Sequence, residues 1–307
     1  MSEATENAVY VDWGTSSFRA YLVDAAGTCL ARKASDQGVK KIAPGTCKSV
    51  LQENIGEWVE EAGVTRVLMA GMVGSDLGWC AVPLLNAPCD AAAISDNLFQ
   101  ARLTGATSVQ IVPGLASFDG SGRVASIMRG EEVQILGSIA LQNKSDALIC
   151  LPGSHSKWVG INAGSITAIR TFMTGELFDL VCTRSVLKDC IQGADAELDV
   201  AAFLSGVDRV RSRDVLLEAL FGVRAEFVAD PHRTAAERKS FVSGVMIGSE
   251  IDAALANAPV SQSGDLIVAG SKKLLEAYRL AFARHDCRAT CVDGEEAFIA
   301  GCHLLLA

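Results

Sequence analysis

Asp12-Trp13-Gly14-Thr15-Ser16 ends a short apolar run at residues 8–11 and brings together the residue types that handle phosphate. Where a buried strand turns, a glycine lets phosphate approach backbone N–H groups, and threonine or serine hydroxyls donate to its oxygens. An aspartate at the strand end can orient a magnesium ion through water. The same residue types also build plain hairpin turns in which the aspartate caps its own loop, so the segment alone leaves both possibilities open.

The elements that must hold this loop are predictable on either side of it. Residues 18–23 resume the apolar pattern and make a β-hairpin, and a third strand near 29–34 follows the Asp24-Ala25-Ala26-Gly27 turn. Leu51, Ile55, Trp58 and Ala62 form a helical stripe, and residues 65–70 return to strand. The second half repeats this order. Residues 147–151 run into Pro152-Gly153-Ser154-His155-Ser156-Lys157, strands follow at 158–161 and 165–171, and a helix begins near Thr174. Two units of the order strand, small polar loop, strand, strand, helix predict a two-lobed nucleotide enzyme with its lobes facing across a cleft. Farther on, Phe241, Val245, Gly248, Ile251 and Leu255 mark one helix face, and residues 266–269 a buried strand that stops at Gly270-Ser271. Leu274, Tyr278 and Ala281 describe another helix, before a last strand at 287–292 and a last helix at 295–306. The polar stretch Gln142-Asn143-Lys144-Ser145-Asp146 sets a soft boundary within 135–146, giving lobes 1–140 and 141–307.

Composition agrees with that division. A chain of 307 residues exceeds one average domain, and a hydrophobic half that is mostly aliphatic, with 28 glycines, suits helices packed closely on sheets in the α/β class. A net charge of -9 offers no basic surface for nucleic acid, so an anionic ligand must be held by local dipoles and metal ions. The polar, acidic opening predicts no signal peptide, and no apolar run approaches the roughly 18 residues that span a bilayer. A cytoplasmic protein without a membrane partner is the expectation. Ten cysteines scattered from Cys29 to Cys302 through apolar segments read as buried thiols, and Cys287 with Cys291 lacks a second Cys/His pair for zinc.

Six segments, in order, carry more than composition can: Asp12 to Ala20; Ala70-Gly71-Met72-Val73-Gly74-Ser75 with Gly78-Trp79; Met128-Arg129-Gly130-Glu131-Glu132 with Gln134; Leu151 to Trp158; Met173-Thr174-Gly175-Glu176-Leu177; and Val268-Ala269-Gly270-Ser271. Together they resemble the 2-dehydro-3-deoxygalactonokinase family of actin/hexokinase-like (ribonuclease H-like) sugar kinases, over nearly the whole chain. The resemblance implies ATP- and Mg2+-dependent phosphorylation of the terminal C6 hydroxyl of 2-dehydro-3-deoxy-D-galactonate, in D-galactonate breakdown. Its rivals are a kinase of the same fold for another sugar acid or polyol, and a non-catalytic sugar sensor. Oligomeric state, a homodimer included, stays open.

The resemblance also implies roles. Asp12, Gly14, Thr15 and Ser16 form the first phosphate loop, with Arg19 reaching phosphate or substrate. Gly153, Ser154, His155 and Lys157 form the second, although Lys157 could be a surface cation and His155 could bond only backbone. Gly270-Ser271 matches the adenosine-side turn and also suits a helix N-cap. Related kinases place an aspartate base where this chain has Gly130-Glu131-Glu132, so Glu131 is the expected base, with Asp12 and Glu132 as alternatives. Arg129 and Arg170 are the forked donors for a sugar-acid carboxylate, or structural ion-pair partners. Met72, Ser75 and Trp79 lie in the segment that would face the sugar.

Overall fold

A computed structural model describes residues 7–102, 107–194, 197–211, 215–229, 231–256 and 265–307. Antiparallel strands β1 (Asn7–Trp13), β2 (Phe18–Val23) and β3 (Cys29–Ser35) open the chain. In α1 (Cys47–Glu61) Leu51, Ile55 and Trp58 of the predicted stripe are buried together with Val50, whereas Ala62 is the half-buried C-cap residue, and β4 (Val64–Ala70) then pairs with β1 in parallel. Short elements follow: β5 (Leu85–Asn86), α2 (Ala91–Asp96), β6 (Phe99–Arg102), β7 (Ser108–Ile111), β8 (Leu115–Phe118) and β9 (Val124–Met128). They complete a six-stranded mixed sheet of order β3-β2-β1-β4-β7-β6 and a small sheet of order β5-β8-β9. α3 (Glu131–Gln142) closes this part.

The second part begins with β10 (Ala147–Leu151), buried at every position, then β11 (Ser156–Asn162) and β12 (Ser165–Phe172). A helical stretch comprises α4 (Thr174–Arg184), α5 (Lys188–Ile191), α6 (Val200–Arg211), α7 (Leu216–Ala229) and α8 (Ala235–Ala256). The chain ends with β13 (Asp265–Gly270), α9 (Lys272–Arg284), β14 (Ala289–Asp293) and α10 (Gly294–Leu306). The sheet runs β12-β11-β10-β13-β14, with β13 parallel to β10.

Two compact units result: residues 1–146, 161–169 and 292–307 form one, and residues 147–160 and 170–291 the other. A single cut near 141 does not describe them, because the chain returns twice to the first unit. Ile166 bridges Cys89 there, and α10 packs on α3. That helix pair crosses where both partners lack a side chain: a Cβ on Gly137 would lie 1.8 Å from the Ala297 carbonyl oxygen, and one on Gly301 2.0 Å from that of Val133. Among the described residues no helix is long and apolar enough to cross a membrane.

Burial of the thiols is only partly as expected. Cys47, Cys89, Cys150, Cys190 and Cys302 are buried, but Cys291 is exposed because β14 is an edge strand, and the other four are half-buried.

Two alanine substitutions of helical glycines separate packing from helix propensity. Gly137→Ala is expected to destabilise the protein by about 3 kcal/mol, since overpacking against backbone outweighs the gain in propensity. Gly222→Ala, where nothing lies within 4 Å, is expected to stabilise it by about 0.5–1 kcal/mol. Urea denaturation of both variants measures the two signs.

Candidate active site

The register of β1 places the first loop. Asp12 lies opposite Arg19 across the hairpin and opposite Ala70 on β4, so it stands where β1 and β4 both run out. Trp13 and Phe18, both fully buried, meet edge to face with centroids 4.9 Å apart and pin the loop's two ends in the core. Gly14 N–H donates to the Ser17 carbonyl at 3.0 Å, and Val39 and Lys40 N–H donate to the Gly14 and Thr15 carbonyls at 3.0 and 3.2 Å. Asp12 keeps 20% of its side-chain surface, with an Arg19 guanidinium nitrogen 3.5 Å away. Burial raises its carboxyl above the ordinary range, and Arg19 opposes that shift.

Glycines set the next contacts. Gly71 has φ +98°, and a Cβ there would lie 2.8 Å from the Trp13 carbonyl oxygen. Gly130 has φ +109°, and its Cβ would lie 2.9 Å from the Gly71 α-carbon. Only residues without side chains fit, and the resulting stack sets the ends of β1 and β4 against the start of α3. Residues 72–79 fold tightly beyond Gly71: Trp79 N–H donates to the Val73 carbonyl at 2.7 Å and the Ser75 hydroxyl to the Met72 carbonyl at 2.7 Å. Met72, Ser75 and Trp79 are half-buried, and Met72 and Trp79 pack on the core.

At the head of α3, two carboxylates bond the preceding backbone. Glu131 Oε2 accepts from Arg129 N–H at 3.0 Å, and both Glu132 oxygens accept from Gly130 N–H at 2.7 and 2.8 Å. Glu132 is fully buried, and desolvation with the Glu131 charge pushes its carboxyl up to about 8, so it is mostly neutral at pH 7. Glu131, half-buried, is the more accessible of the pair. Arg129 gives Nη2 to the Val82 carbonyl at 2.8 Å, but its Nη1 is buried without a hydrogen-bond partner among the described residues. An unsatisfied guanidinium nitrogen is costly to bury and keeps the capacity to donate to one more acceptor.

In the second unit, Pro152 to His155 link β10 to β11. Gly175, early in α4, has no room for a side chain, since a Cβ would lie 2.4 Å from the Gly153 carbonyl oxygen, and Glu176 N–H donates to the Ser154 carbonyl at 3.0 Å. His155 Nε2 pairs with the Glu176 carboxylate at the surface. Lys157 is buried, with Nζ donating to the Thr171 hydroxyl at 3.0 Å, which is not the setting of a surface cation. Gly270 ends β13, and Ser271 takes the N-cap position of α9 without a side-chain cap bond. A Cβ on Gly270 would meet Pro152 only at 3.8 Å, so turn and loop are neighbours with room above them.

A cavity of about 560 Å3 opens beside these backbone turns. Gly153, Thr174 and Gly175 line it together with apolar Phe178, Met246 and Leu274, and with Lys239, Ser243 and Lys273. Glu197 and Glu276 line it as well, so an apolar wall is combined with charges of both signs, as in many ligand cavities. None of the apolar wall was legible in the sequence, because those residues come from α4, α8 and α9 and carry no motif. Arg170 falls elsewhere: its guanidinium donates to the Ala253 and Ala254 carbonyls at 3.0 Å and covers the Phe172 ring, so the structural role fits it better than the substrate role.

The chain is similar to known proteins along nearly its whole length. The family described as 2-keto-3-deoxy-galactonokinase matches residues 12–305. The 2-dehydro-3-deoxygalactonokinase of Escherichia coli K12 is 35% identical over 97% of this chain and 96% of its own. The crystal structure of a candidate 2-dehydro-3-deoxygalactonokinase from Sinorhizobium meliloti superposes with a TM-score of 0.85 at 32% identity, covering 96% of each chain. At 11% identity, a Clostridium difficile dehydratase activator with bound ADPNP shares the fold alone, with a TM-score of 0.53 over 97% of this chain and 93% of its own. The mixed α/β architecture is thus that of actin/hexokinase-like kinases and ATPases. With the family match running through both glycine-rich loops, the Gly71–Gly130 stack and the Gly270 turn, the chain belongs to the 2-keto-3-deoxy-galactonokinase family.

Proposed function

We propose that this protein is a carbohydrate kinase that transfers the γ-phosphoryl group of ATP to the terminal C6 hydroxyl of 2-dehydro-3-deoxy-D-galactonate, in D-galactonate breakdown. The observation that carries this is the family match over residues 12–305, which includes every loop described above. The C6 oxygen forms its bond to the γ-phosphorus as the bond to the β,γ-bridging oxygen breaks, and ADP leaves with that electron pair. The hydroxyl proton passes to the Glu131 carboxylate, the accessible one of the pair at the head of α3. Buried, neutral Glu132 holds the Gly130 turn that aims its neighbour.

Arg129 receives the substrate carboxylate through its unpartnered nitrogen, and Met72, Ser75 and Trp79 border the sugar. The first loop, Gly14 to Ser16, and the second, Gly153 to Lys157, cradle phosphates, with Arg19 at the first. The adenosine occupies the 560 Å3 cavity that Gly153, Gly175 and, on α9, Lys273 and Leu274 line, just along the chain from Gly270 and Ser271. Magnesium fits Asp12: a phosphate-bound Mg2+ needs only one or two protein carboxylates, and this one is partly open at a strand end. When bound, the ion would neutralise charge on the phosphates. A homodimer in the cytoplasm is consistent with this role.

Steady-state kinetics separate the assignments. Arg129→Met is expected to raise the KM for the sugar acid about 30-fold or more, the worth of a charge-assisted bond, and leave the KM for ATP within about threefold. Arg170→Met is expected to leave both near wild type if folded; the reverse pattern transfers the anchor to Arg170. Glu131→Gln is expected to lower kcat about 100-fold or more with little change in ATP affinity. Wild-type kcat in that variant places the base elsewhere.

A further inference from the structure

One carboxylate in the second unit lies outside every motif above. Glu250, in the last third of α8, is 3% exposed, and its oxygens accept from Trp158 Nε1 and from the Tyr278 hydroxyl, each at 2.8 Å. Ser156 and Thr174 also hydrogen-bond to it. Those partners come from β11, α9 and the first residue of α4, so one side chain ties together three elements that start or finish at the second loop and its cavity.

The proton inventory gives the connection a direction. A tryptophan N–H can only donate, so Trp158 Nε1 holds one Glu250 oxygen, and the Tyr278 hydroxyl gives its proton to the other. The Ser156 hydroxyl has a single proton, which goes either to the Tyr278 oxygen 3.2 Å away or to Glu250 itself, and on either path Ser156 is tied to the carboxylate. That leaves the Ser156 lone pairs for Gly153 N–H at 3.4 Å. A chain of donors thus runs from the phosphate-loop backbone to the buried carboxylate. Thr174 is the cavity-lining residue just before Gly175, whose contact with the Gly153 carbonyl sets the other side of the loop.

We propose that Glu250, acting through Tyr278, Ser156 and Thr174, is the positioning residue that holds the second phosphate loop and the cavity wall in nucleotide-binding geometry. It touches neither substrate, and its effect falls on the nucleotide alone. Burial raises its carboxyl above the ordinary range while the hydrogen bonds it accepts oppose the shift, as for a carboxylate kept for those bonds. The proposal rests on the assignment of Gly153 and the cavity to ATP.

The test compares Glu250→Gln, Tyr278→Phe and the double variant with Gly175→Ala, which displaces the loop directly. Folding is checked by circular dichroism, and the KM values for ATP and for the sugar acid are measured together with ADP affinity by calorimetry. Glu250→Gln and Tyr278→Phe are each expected to raise the KM for ATP and the ADP Kd about fivefold or more, with the sugar-acid KM within about twofold. The double variant is expected to be no worse than Glu250→Gln, because both act through one chain. Should Glu250→Gln fail to fold, Tyr278→Phe, which removes one hydroxyl, decides the matter. Wild-type nucleotide affinity in folded Tyr278→Phe, while Gly175→Ala weakens it, overturns the role of Glu250 and keeps the nucleotide assignment. If Gly175→Ala also binds ADP normally, the nucleotide assignment fails, and this proposal with it.

Discussion

Everything in the first unit hangs on three backbones that touch: the Trp13 carbonyl, Gly71 and Gly130. A side chain at either glycine would collide with its neighbour, at 2.8 and 2.9 Å, and both residues sit at positive φ, so two constraints select the same residue type. The contact brings the end of the first loop, the folded turn at 72–79 and the head of α3 together without any side chain spanning them. Asp12, Arg129 and Glu131 are therefore placed by main chain, which is stiffer than a side-chain contact. The elements behind them are fixed in the same way, through the Gly137 and Gly301 crossing of α3 with α10.

Charge is then sorted by depth. Glu132, fully buried and mostly neutral, satisfies the Gly130 amide; Glu131, one residue earlier and half-buried, keeps access. Arg129 is anchored by one nitrogen and holds the other without a partner among the described residues. In the second unit the buried carboxylate Glu250 instead has all its bonds made within the protein. One buried charge is thus left with hydrogen-bonding capacity to spare, whereas the other is saturated by the scaffold.

Much of this was legible in the sequence where local pattern decides structure. The strands around both loops, the stripe of α1 and the last two helices follow from apolar spacing, and the loops from their glycine and hydroxyl residues. The stretch 79–128 was not legible, because strands of two to five residues there are too short to show alternation. Nor was α7, whose Leu217, Phe221 and Val228 are exposed while Ala219 and Val223 are buried, so apolar residues lie on both faces. Within the site, Arg129 and Arg170 were indistinguishable by type; only their partners separate them. Glu250 was invisible because Tyr278 and Trp158, which donate to it, lie 28 and 92 residues away along the chain.

The central claim, phosphoryl transfer to a keto-deoxy sugar acid, is tested most directly by ADP release from the purified protein across a panel of acceptors: 2-dehydro-3-deoxy-D-galactonate, related keto-deoxy sugar acids, simple sugars, glycerol and no acceptor. Turnover with 2-dehydro-3-deoxy-D-galactonate far above that with neutral sugars or glycerol is the predicted result. Turnover confined to glycerol or neutral sugars, or none above the acceptor-free background, would contradict it.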